Sequence, residues 1–506
     1  MTSPAAPHPL RWLRRLVLAI VALLLLGIIV AYFVVDFSGR AAWDRVQKEL
    51  TAKGESLTVS GLVPPPVPDE QNFFADPLWA EFYDLVEEKG DDGKVTRTTR
   101  LPKGQRQLDV LTGSKVPSGK RTGSVLETGE RPDLEFLAME FRKRSPEAAE
   151  AGSAPEAILA GLSAADPILE RLRTLSARPE ARFPLDYSRG FQMDGLHWTV
   201  LLSTAQVLNQ RILAEVAMGR GEEALADIVL LLKLADSPRS DPVLISLLIS
   251  SSMIRIAVWG IWSGLDARVW DDEQIQEIQS MLGKTSVMAA LPTALRFERA
   301  VVDELVVPAI LRGGLKAFVG TLTPASQETS WQDRVWFETL SFVYPRGQLL
   351  RDLANYNLEI QRYIGDPSSL NGQDPPQPGA WDSLLSAVTR MALPAIRGAY
   401  RSALETEAVI RMGTIACALE RYRMKNGAYP ETLEALVPGQ IDPLPSDPAT
   451  GGGFLYKTTA FGFLMWSVGW DGRDDRGALR ARRESPEGDW IWRTAAPLPP
   501  TPPPAP

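Results

Sequence analysis

His197 is the residue whose type and neighbours come closest to a catalytic arrangement. The chain has two histidines, and the other, His8, lies in the N-terminal leader. Asp186 and Asp194 precede His197, and a carboxylate can orient an imidazole that acts as a general base. His197 also adjoins Trp198 at the apolar start of a predicted helix, where an imidazole usually packs and hydrogen-bonds. Because no nucleophile motif accompanies it, the sequence favours this packed role.

Acidic neighbours are a second pattern that could do chemistry. Glu405 with Glu407, and Asp303 with Glu304, resemble the paired carboxylates of acid and base catalysis. At these spacings the side chains diverge around a helix, so we interpret both pairs as solvated helix faces.

A glycine pattern at Gly219, Gly221 and Ala224 matches the dinucleotide-binding fingerprint in spacing alone. That fingerprint works when a strand precedes it and a phosphate lies at the N-terminus of the following helix. Here a helix is predicted before the glycines. Nucleotide binding is therefore not expected.

Composition excludes several other classes of protein. The formal net charge is -8, with no basic run beyond the first residues, whereas nucleic-acid binding depends on clustered Lys and Arg. Cys417 is the only cysteine, which excludes an internal disulfide framework and multi-cysteine zinc or iron-sulfur sites.

An apolar run from Leu16 to Val35 is 20 residues long and carries no charge. About 20 apolar residues cross a bilayer as a helix. The basic residues Arg11, Arg14 and Arg15 precede the run and Asp36 follows it, so the positive-inside rule places the N-terminus in the cytoplasm. We predict a single-pass protein of a bacterial-type inner (plasma) membrane, with its bulk periplasmic or otherwise extracytoplasmic.

A cleaved signal peptide is the alternative interpretation of this run. Such peptides have an apolar region of about 7 to 15 residues and end at a small-x-small site. The run here is longer, and residues 36–39, Asp-Phe-Ser-Gly, offer no good cleavage site. The length favours a retained anchor.

Helical periodicity dominates residues 131–397. One apolar stripe precedes the turn at residues 219–221 and another follows it, which predicts an antiparallel helical hairpin; the stripes are Leu201, Ala205, Leu208, Ile212 and Val216, then Ala224, Ile228, Leu231 and Ala235. The segment AMGRGEEALADIVLLLKLA resembles one tetratricopeptide-type helix pair. A repeat solenoid needs about three or more units, so we interpret the hairpin as part of a bundle.

Residues 243–262 are apolar enough to raise the question of a second membrane span. Arg255 and the serines Ser250, Ser251 and Ser252 fall in the middle of the segment. A charge at the centre of a membrane helix costs about 2.5 to 3.5 kcal/mol. A buried core helix is favoured over a second span.

The C-terminal part has a different pattern. An apolar seam on one helix ends at Asn426 and Gly427, a turn-forming string follows, and two β-like runs cover residues 454–457 and 461–468. We predict a mainly α protein divided into a leader and transmembrane anchor at 1–40, an extended spacer and loops at 41–130, an α-helical bundle at 131–379, a small α+β domain at 380–494 and a disordered Pro-rich tail at 495–506.

This last fifth of the chain resembles the globular domain of type II secretion major pseudopilins. The residues that match, in order, are Asn426, Gly427, Tyr429, Pro430, Leu444, Pro445, Asp447, Pro448, Ser467, Gly469, Asp471 and Gly472. Pseudopilins carry their apolar helix directly before the globular part, whereas the anchor here lies hundreds of residues upstream. The resemblance implies a fold and an extracytoplasmic setting, not membership of a pilus.

The same resemblance implies a possible calcium site. The matching loop of pseudopilins binds calcium, and Ser467 and Asp471 correspond to it directly. Asp474 and Asp475 stand where that family has further acidic residues, although its later Asp-Ala-Asp segment is absent. Calcium takes about 6 to 8 oxygen ligands. The alternative is a solvated turn that caps a hairpin.

Two classes of function remain open. The first is a non-enzymatic envelope protein with a binding or scaffolding role and a protein partner, since no catalytic constellation is concentrated in the sequence. The second is an extracytoplasmic hydrolase-type enzyme with a site in the helical bundle. An accessory role in a secretion or pilus-like system rests on family analogy alone.

Overall fold

A computed structural model describes residues 9–89, 95–102, 104–115, 126, 130–322, 344–366, 387–478 and 488–494. It is 68% helix and 5% strand, so a mainly helical fold with an N-terminal apolar helix and a small antiparallel sheet is confirmed. The predicted Pro-rich tail and most of the predicted break at 365–379 lie outside the described residues.

The described helices and strands are given in chain order. The helices are α1 (Pro9–Ala52), α2 (Pro77–Tyr83), α3 (Asp109–Ser114), α4 (Leu134–Arg142), α5 (Pro146–Glu150), α6 (Ala154–Leu162), α7 (Asp166–Leu175), α8 (Leu196–Ala217), α9 (Gly221–Asp236), α10 (Leu244–Ala267), α11 (Asp272–Lys284), α12 (Leu291–Val301), α13 (Val307–Leu322), α14 (Arg346–Gly365) and α15 (Ala387–Asn426). The strands are β1 (Leu85–Lys89), β2 (Val95–Thr99), β3 (Leu455–Thr459), β4 (Gly462–Ser467) and β5 (Trp490–Arg493).

The described residues form two compact units. The first unit comprises 9–61, 298–322, 344–365 and 387–396, and the second comprises 62–89, 95–102, 104–115, 126, 130–297, 366, 397–478 and 488–494. The first unit therefore contains α1 and helices that lie about 250 residues later in the chain.

Helix α1 runs without interruption for 44 residues, whereas the sequence analysis placed an extended spacer from residue 41 onwards. The polar residues that follow the apolar run support the helix, because Asp36 and Arg40 form an ion pair of 2.8 Å at the favourable i, i+4 spacing. The apolar part of α1 is exposed, whereas Val46 and Leu50 are buried against Ala354 of α14. One helix thus carries both the apolar run and part of a folded core.

Close backbone contact joins α1 to α14 in the first unit. A Cβ atom built at Gly39 would lie 1.8 Å from the carbonyl oxygen of Gly347, and one built at Gly347 would lie 2.3 Å from the Cα of Asp36. Larger residues would force the two helices apart. The backbone N–H of Gly347 also donates a hydrogen bond of 2.9 Å to Asp36.

The second unit is built around the predicted helical hairpin. Helices α8 and α9 pack against each other and against α10, and Gly219 takes the left-handed φ of +72° that the tight turn between α8 and α9 requires. Helices α11, α12 and α14 also fall within the predicted helical bundle at 131–379, and a π-helical turn at Val302–Val306 directly follows α12.

Helix α10 covers the segment that raised the question of a second membrane span. Two described helices, α1 and α10, are long and apolar enough to cross a membrane. The most apolar window of α10 is 61% buried within the protein, whereas that of α1 is not buried at all. The packing agrees with the interpretation of α10 as a core helix.

The described residues between 85 and 115 fall within the predicted extended spacer and loops at 41–130, but they include regular structure and buried side chains. Strands β1 and β2 pair as an antiparallel hairpin, and Leu108 and Leu111 are fully buried. Two leucines in a polar stretch do not predict burial, because neighbouring helices cover these side chains and the segment has no apolar period of its own.

A three-stranded antiparallel sheet in the order β3-β4-β5 follows the long helix α15. The first two strands match the predicted β-like runs. The third strand, β5, was not predicted, although Trp490, Ile491 and Trp492 are each at most 2% exposed and pack its centre.

Candidate functional site

His197 lies at the start of α8 in an aromatic environment. Its ring stacks on Phe183 with the centroids 3.7 Å apart and an interplanar angle of 9°, and the ring of Phe74 meets it edge-on. The side chain is fully buried, and neither ring nitrogen has a hydrogen-bond partner among the described residues. Burial lowers the pKa of His197 to about 3. The imidazole is therefore neutral and packed, but it lacks the expected hydrogen bond.

A pocket of about 390 Å³ lies beside this aromatic cluster. Phe183 lines the pocket on one side and stacks on His197 on the other, so it separates the imidazole from the pocket. The carboxylates of Glu87, Asp186 and Asp194 also line it. Asp186 accepts a hydrogen bond of 2.6 Å from Ser188, while Asp194 pairs with Arg189. Neither aspartate orients His197 as the sequence suggested.

A larger cleft of about 480 Å³ opens elsewhere in the second unit. Its walls are the ends of α7 and α9, the 3-10 turn Ser237–Ser240 and the segment that follows α11. The charged lining residues are Arg178, Glu180, Lys233, Asp236 and Arg239. They give the cleft three cationic and two anionic groups at close quarters.

Most polar groups of the cleft hold its walls together. Arg239 donates to the carbonyl of Ser286 at 3.0 Å and pairs with Asp236 at 2.6 Å. Arg178 donates to the carbonyl of Asn72 at 2.8 Å. The hydroxyl of Ser237 donates to the carbonyl of Leu234 at 2.7 Å. The cleft is consequently a fixed surface and not a set of free nucleophiles.

Lys233 and Glu180 are the exceptions. Both side chains are exposed, and neither forms a hydrogen bond or an ion pair through its charged group with a described residue. Their charged groups are therefore the ones in the cleft that can bind a ligand. A ligand with charges of both signs, such as a polypeptide segment, would satisfy them.

A buried carboxylate lies directly behind one wall of the cleft. Asp241, next to the lining residue Ser240, accepts a hydrogen bond of 3.1 Å from Tyr187 and lies 3.8 Å from Arg182. Burial raises the pKa of Asp241 to about 7, against the lowering effect of Arg182. Arg182 also donates to the carbonyl of Ser240, so this group ties the wall to the core.

The candidate calcium ligands are divided among several local hydrogen bonds. Asp471 accepts from the backbone N–H of Arg473 at 3.0 Å, and Asp474 accepts from the indole N–H of Trp466 at 2.9 Å. The backbone N–H of Asp475 donates to Asp489 at 3.3 Å. No group of three or more His, Cys, Asp or Glu side chains suited to a metal occurs among the described residues. Calcium binding stays a prediction.

Two parts of the pseudopilin-like pattern meet in space. The hydroxyl of Ser467 donates to Asp447 at 2.9 Å, and both residues are buried. Tyr429 donates its hydroxyl to Glu420 of α15 and contacts Phe463 of β4 edge-on. These motif residues stabilise the contacts between α15, the turn and the sheet. This structural role explains their presence without a bound ligand.

The interpretation of the acidic pairs as solvated faces is wrong for one member of each. Glu407 is 3% exposed and accepts hydrogen bonds of 3.0 Å from the hydroxyl of Ser286 and the N–H of Val287. Asp303 is 9% exposed and accepts a hydrogen bond of 2.9 Å from Asn357. Spacing along a helix could not show which neighbouring segment covers each carboxylate.

The two remaining sequence patterns carry no site in the described structure. Gly219 and Gly221 lie between two helices, so the strand that a dinucleotide fingerprint needs is missing there. Cys417 is fully buried in α15, and burial raises the pKa of its thiol. It is a packed core residue.

Comparison with known proteins finds no relative on which to base a function. No protein-family model, no curated protein and no solved structure matches the chain. The resemblances to pseudopilins and to a tetratricopeptide helix pair therefore remain predictions.

The cleft was missed by sequence reasoning. Its charged residues come from two separate segments, 178–180 and 233–239, and no motif links them. The only signal in the sequence was indirect, since Lys233 and Asp236 fall at the end of an otherwise apolar helical stripe.

Proposed function

We propose that this protein is a single-pass, membrane-anchored binding protein whose folded units lie outside the cytoplasm. The observation that carries the proposal is the continuity of α1, which is fully exposed over its apolar part and packed against α14 immediately afterwards. A flexible signal sequence would not need to be joined rigidly to a folded core.

Aromatic residues support the same placement of α1. Trp12 precedes the apolar run, whereas Tyr32, Phe33 and Phe37 lie at its other end, and all four are exposed. Aromatic rings concentrate at the two interfaces of a bilayer. Together with the arginines at the N-terminal side, they define both ends of a membrane-spanning helix.

Cysteine accessibility tests the anchor and its orientation. Leu358 of the first unit and Met424 of the second are 39% and 43% exposed, while the native Cys417 is buried and serves as a low background. In spheroplasts a membrane-impermeant maleimide should label Leu358→Cys and Met424→Cys. Thr2→Cys should be labelled only after permeabilisation. The reverse pattern, or release of the protein by alkaline extraction, would refute the proposal.

The binding role rests on the cleft and its two available charges. We expect a polypeptide partner to co-purify with the wild-type protein from solubilised membranes. The Lys233→Glu variant should not retain this partner, because the introduced carboxylate repels the acidic group that Lys233 would bind. Arg220→Glu is the matched control, since Arg220 is exposed on the same unit but does not line the cleft. Recovery of the wild-type protein alone would count against this role.

A hydrolase-type enzyme is the second candidate, and the pocket beside Phe183 favours it. Three carboxylates line that pocket together with the aromatic side chains of Phe82 and Tyr83, an arrangement that can bind a sugar or peptide and move a proton. Hydrolytic activity that Asp186→Asn abolishes and Lys233→Glu leaves intact would establish this alternative.

A further inference from the structure

Three helices, α1, α13 and α14, meet at the end of the first unit that adjoins the apolar run. The backbone N–H of Gly347, in the first turn of α14, donates to Asp36 at 2.9 Å, and Arg351 donates to the hydroxyl of Ser38. Asp36 directly follows Val35, the last residue of the apolar run. Helix α14 therefore begins at the level where α1 leaves the bilayer.

Helix α13 runs in the opposite direction to α1 and α14. In the π-helical turn directly before α13, Asp303 is hydrogen-bonded to Gln47 of α1 and to Asn357 of α14. Two turns later, the carbonyl of Leu311 accepts a hydrogen bond of 3.0 Å from Arg346. The chain thus descends from the level of Gln47 to the level of Asp36, where the membrane surface would lie.

A bend at Gly314 then redirects α13. Gly314 has φ 60° and ψ -147°, a backbone conformation that is essentially confined to glycine. A straight continuation from Gly314 to Leu322 would carry the helix roughly 12 Å further, at 1.5 Å per residue, alongside the apolar run of α1. The bend keeps the rest of α13 from following that path.

The side chains at this end suit a lipid headgroup layer. Leu311 is 40% exposed, and Arg312 and Arg346 are exposed beside it. The nearby carboxylate of Asp36 is paired with Arg40 at 2.8 Å, so it does not cancel the other two cations. Exposed arginines next to an apolar side chain bind anionic lipid surfaces by charge and by shallow insertion.

We infer that Leu311, Arg312 and Arg346, at the bend of α13, rest on the headgroups of the same bilayer that α1 crosses. This inference depends on the proposed membrane anchor. It gives the first unit a second contact with lipid, which holds the unit against the membrane surface and fixes its orientation about the axis of α1.

Depth-dependent fluorescence quenching tests the contact on the full-length chain in nanodiscs. A polarity-sensitive dye would be attached to Leu311→Cys, to Arg312→Cys, to Phe37→Cys and to Leu358→Cys, with lipids that carry a nitroxide on the headgroup as quencher. Leu358 is the matched control: it is 39% exposed and adjoins Asn357, which lies level with Gln47 and so roughly 16 Å from Asp36 along α1. Phe37 is 77% exposed and reports the anchor itself.

The expected result is strong quenching at Phe37, comparable quenching at Leu311 and Arg312, and none at Leu358. Quenching at Phe37 with unquenched Leu311 and Arg312 would overturn the second contact and leave the anchor intact. Unquenched Phe37 would overturn the anchor. Replacing anionic phosphatidylglycerol with phosphatidylcholine should weaken quenching at Leu311 and Arg312 but not at Phe37; equal quenching in both lipids would overturn the role of the arginines.

Discussion

Each of the two units buries an aspartate, and the two are compensated in different ways. In the second unit Asp227 is fully buried and is held by the guanidinium groups of Arg173 and Arg211, the latter at 2.9 Å. In the first unit the hydrogen-bond partners of Asp303 among the described residues are neutral, the amides of Asn357 and Gln47 at 2.9 and 3.3 Å.

The two sites differ in how well neighbouring groups compensate the charge of the buried carboxylate. Burial raises the pKa of Asp303 to about 6, because amide hydrogen bonds offset the loss of hydration only partly. Arg299, whose charge lowers the pKa of Asp303, is itself paired with Glu55 at 2.6 Å. At neutral pH the ionised Asp303 is a weak point of the first unit, whereas Asp227 links α7, α8 and α9 of the second.

Removal of Asp227 should have the largest effect. Asp227→Ala leaves two guanidinium groups near each other without their common partner, and breaking such a buried pair costs about 3 to 5 kcal/mol. Hydrogen exchange of the α9 amides would measure the loss. Glu170→Ala is the control, since Glu170 pairs with the same Arg173 but is 72% exposed; it should cost no more than about 0.5 kcal/mol. Equal losses of stability in the two variants would show that burial does not determine how much an ion pair contributes.

His197 extends the comparison to a group with no described compensating partner. Its pKa is lower in the folded state, about 3, than the usual value of 6.5, so its contribution to stability is complete above pH 6.5 and is lost as pH falls from 6.5 to 3. At pH 5 we expect a loss of about 2 kcal/mol relative to pH 7.

His197→Phe should remove this acid sensitivity, because a phenyl ring keeps the stacking on Phe183 and cannot be protonated. Unfolding by urea at pH 7 and pH 5 would measure it. Comparing the stability change between pH 7 and pH 5 in variant and wild type separates the effect of His197 from the effects of Asp241 and Asp303. The raised pKa values of these two aspartates change stability with pH in the opposite direction. A variant that is equally acid-sensitive would show that the imidazole is hydrated in solution.

Asp303→Asn should have a smaller effect of opposite sign. The pKa of Asp303 is higher in the folded state, so its ionisation reduces stability as pH rises from about 4 to 6. The neutral amide avoids that cost, and we expect a gain of about 1 to 2 kcal/mol at pH 7.5 and none at pH 4. Hydrogen exchange of the α14 amides would measure it. A loss of stability at both pH values would mean that the carboxylate geometry matters more than its charge.

Sequence reasoning recovered those features of the fold that local patterns encode. The long apolar run, the stripes of α8 and α9 and the β-like run that contains β4 all appeared where the sequence pattern placed them. It did not recover β5 or the buried positions of Leu108 and Leu111. Their neighbours come from distant parts of the chain, and no local period marks such contacts.

The site was far less predictable than the fold. His197 was found because histidine is rare here, but its stacking on Phe183 and its lack of a hydrogen bond depend on how α8 meets the segment before it. The cleft with Lys233 and Glu180 left no pattern, since its residues belong to elements whose spacing serves packing.

By itself the sequence determined the long apolar N-terminal helix, the helical class and the sites that one cysteine and two histidines exclude, because hydropathy and composition act without tertiary contacts. Only the tertiary structure decided that α1 continues into a folded core, that Asp303 and Glu407 are buried, and that Gly314 bends α13 at the level of Asp36. These outcomes depend on which segments meet. That choice is made by packing between residues up to about 300 positions apart, such as Asp36 and Gly347.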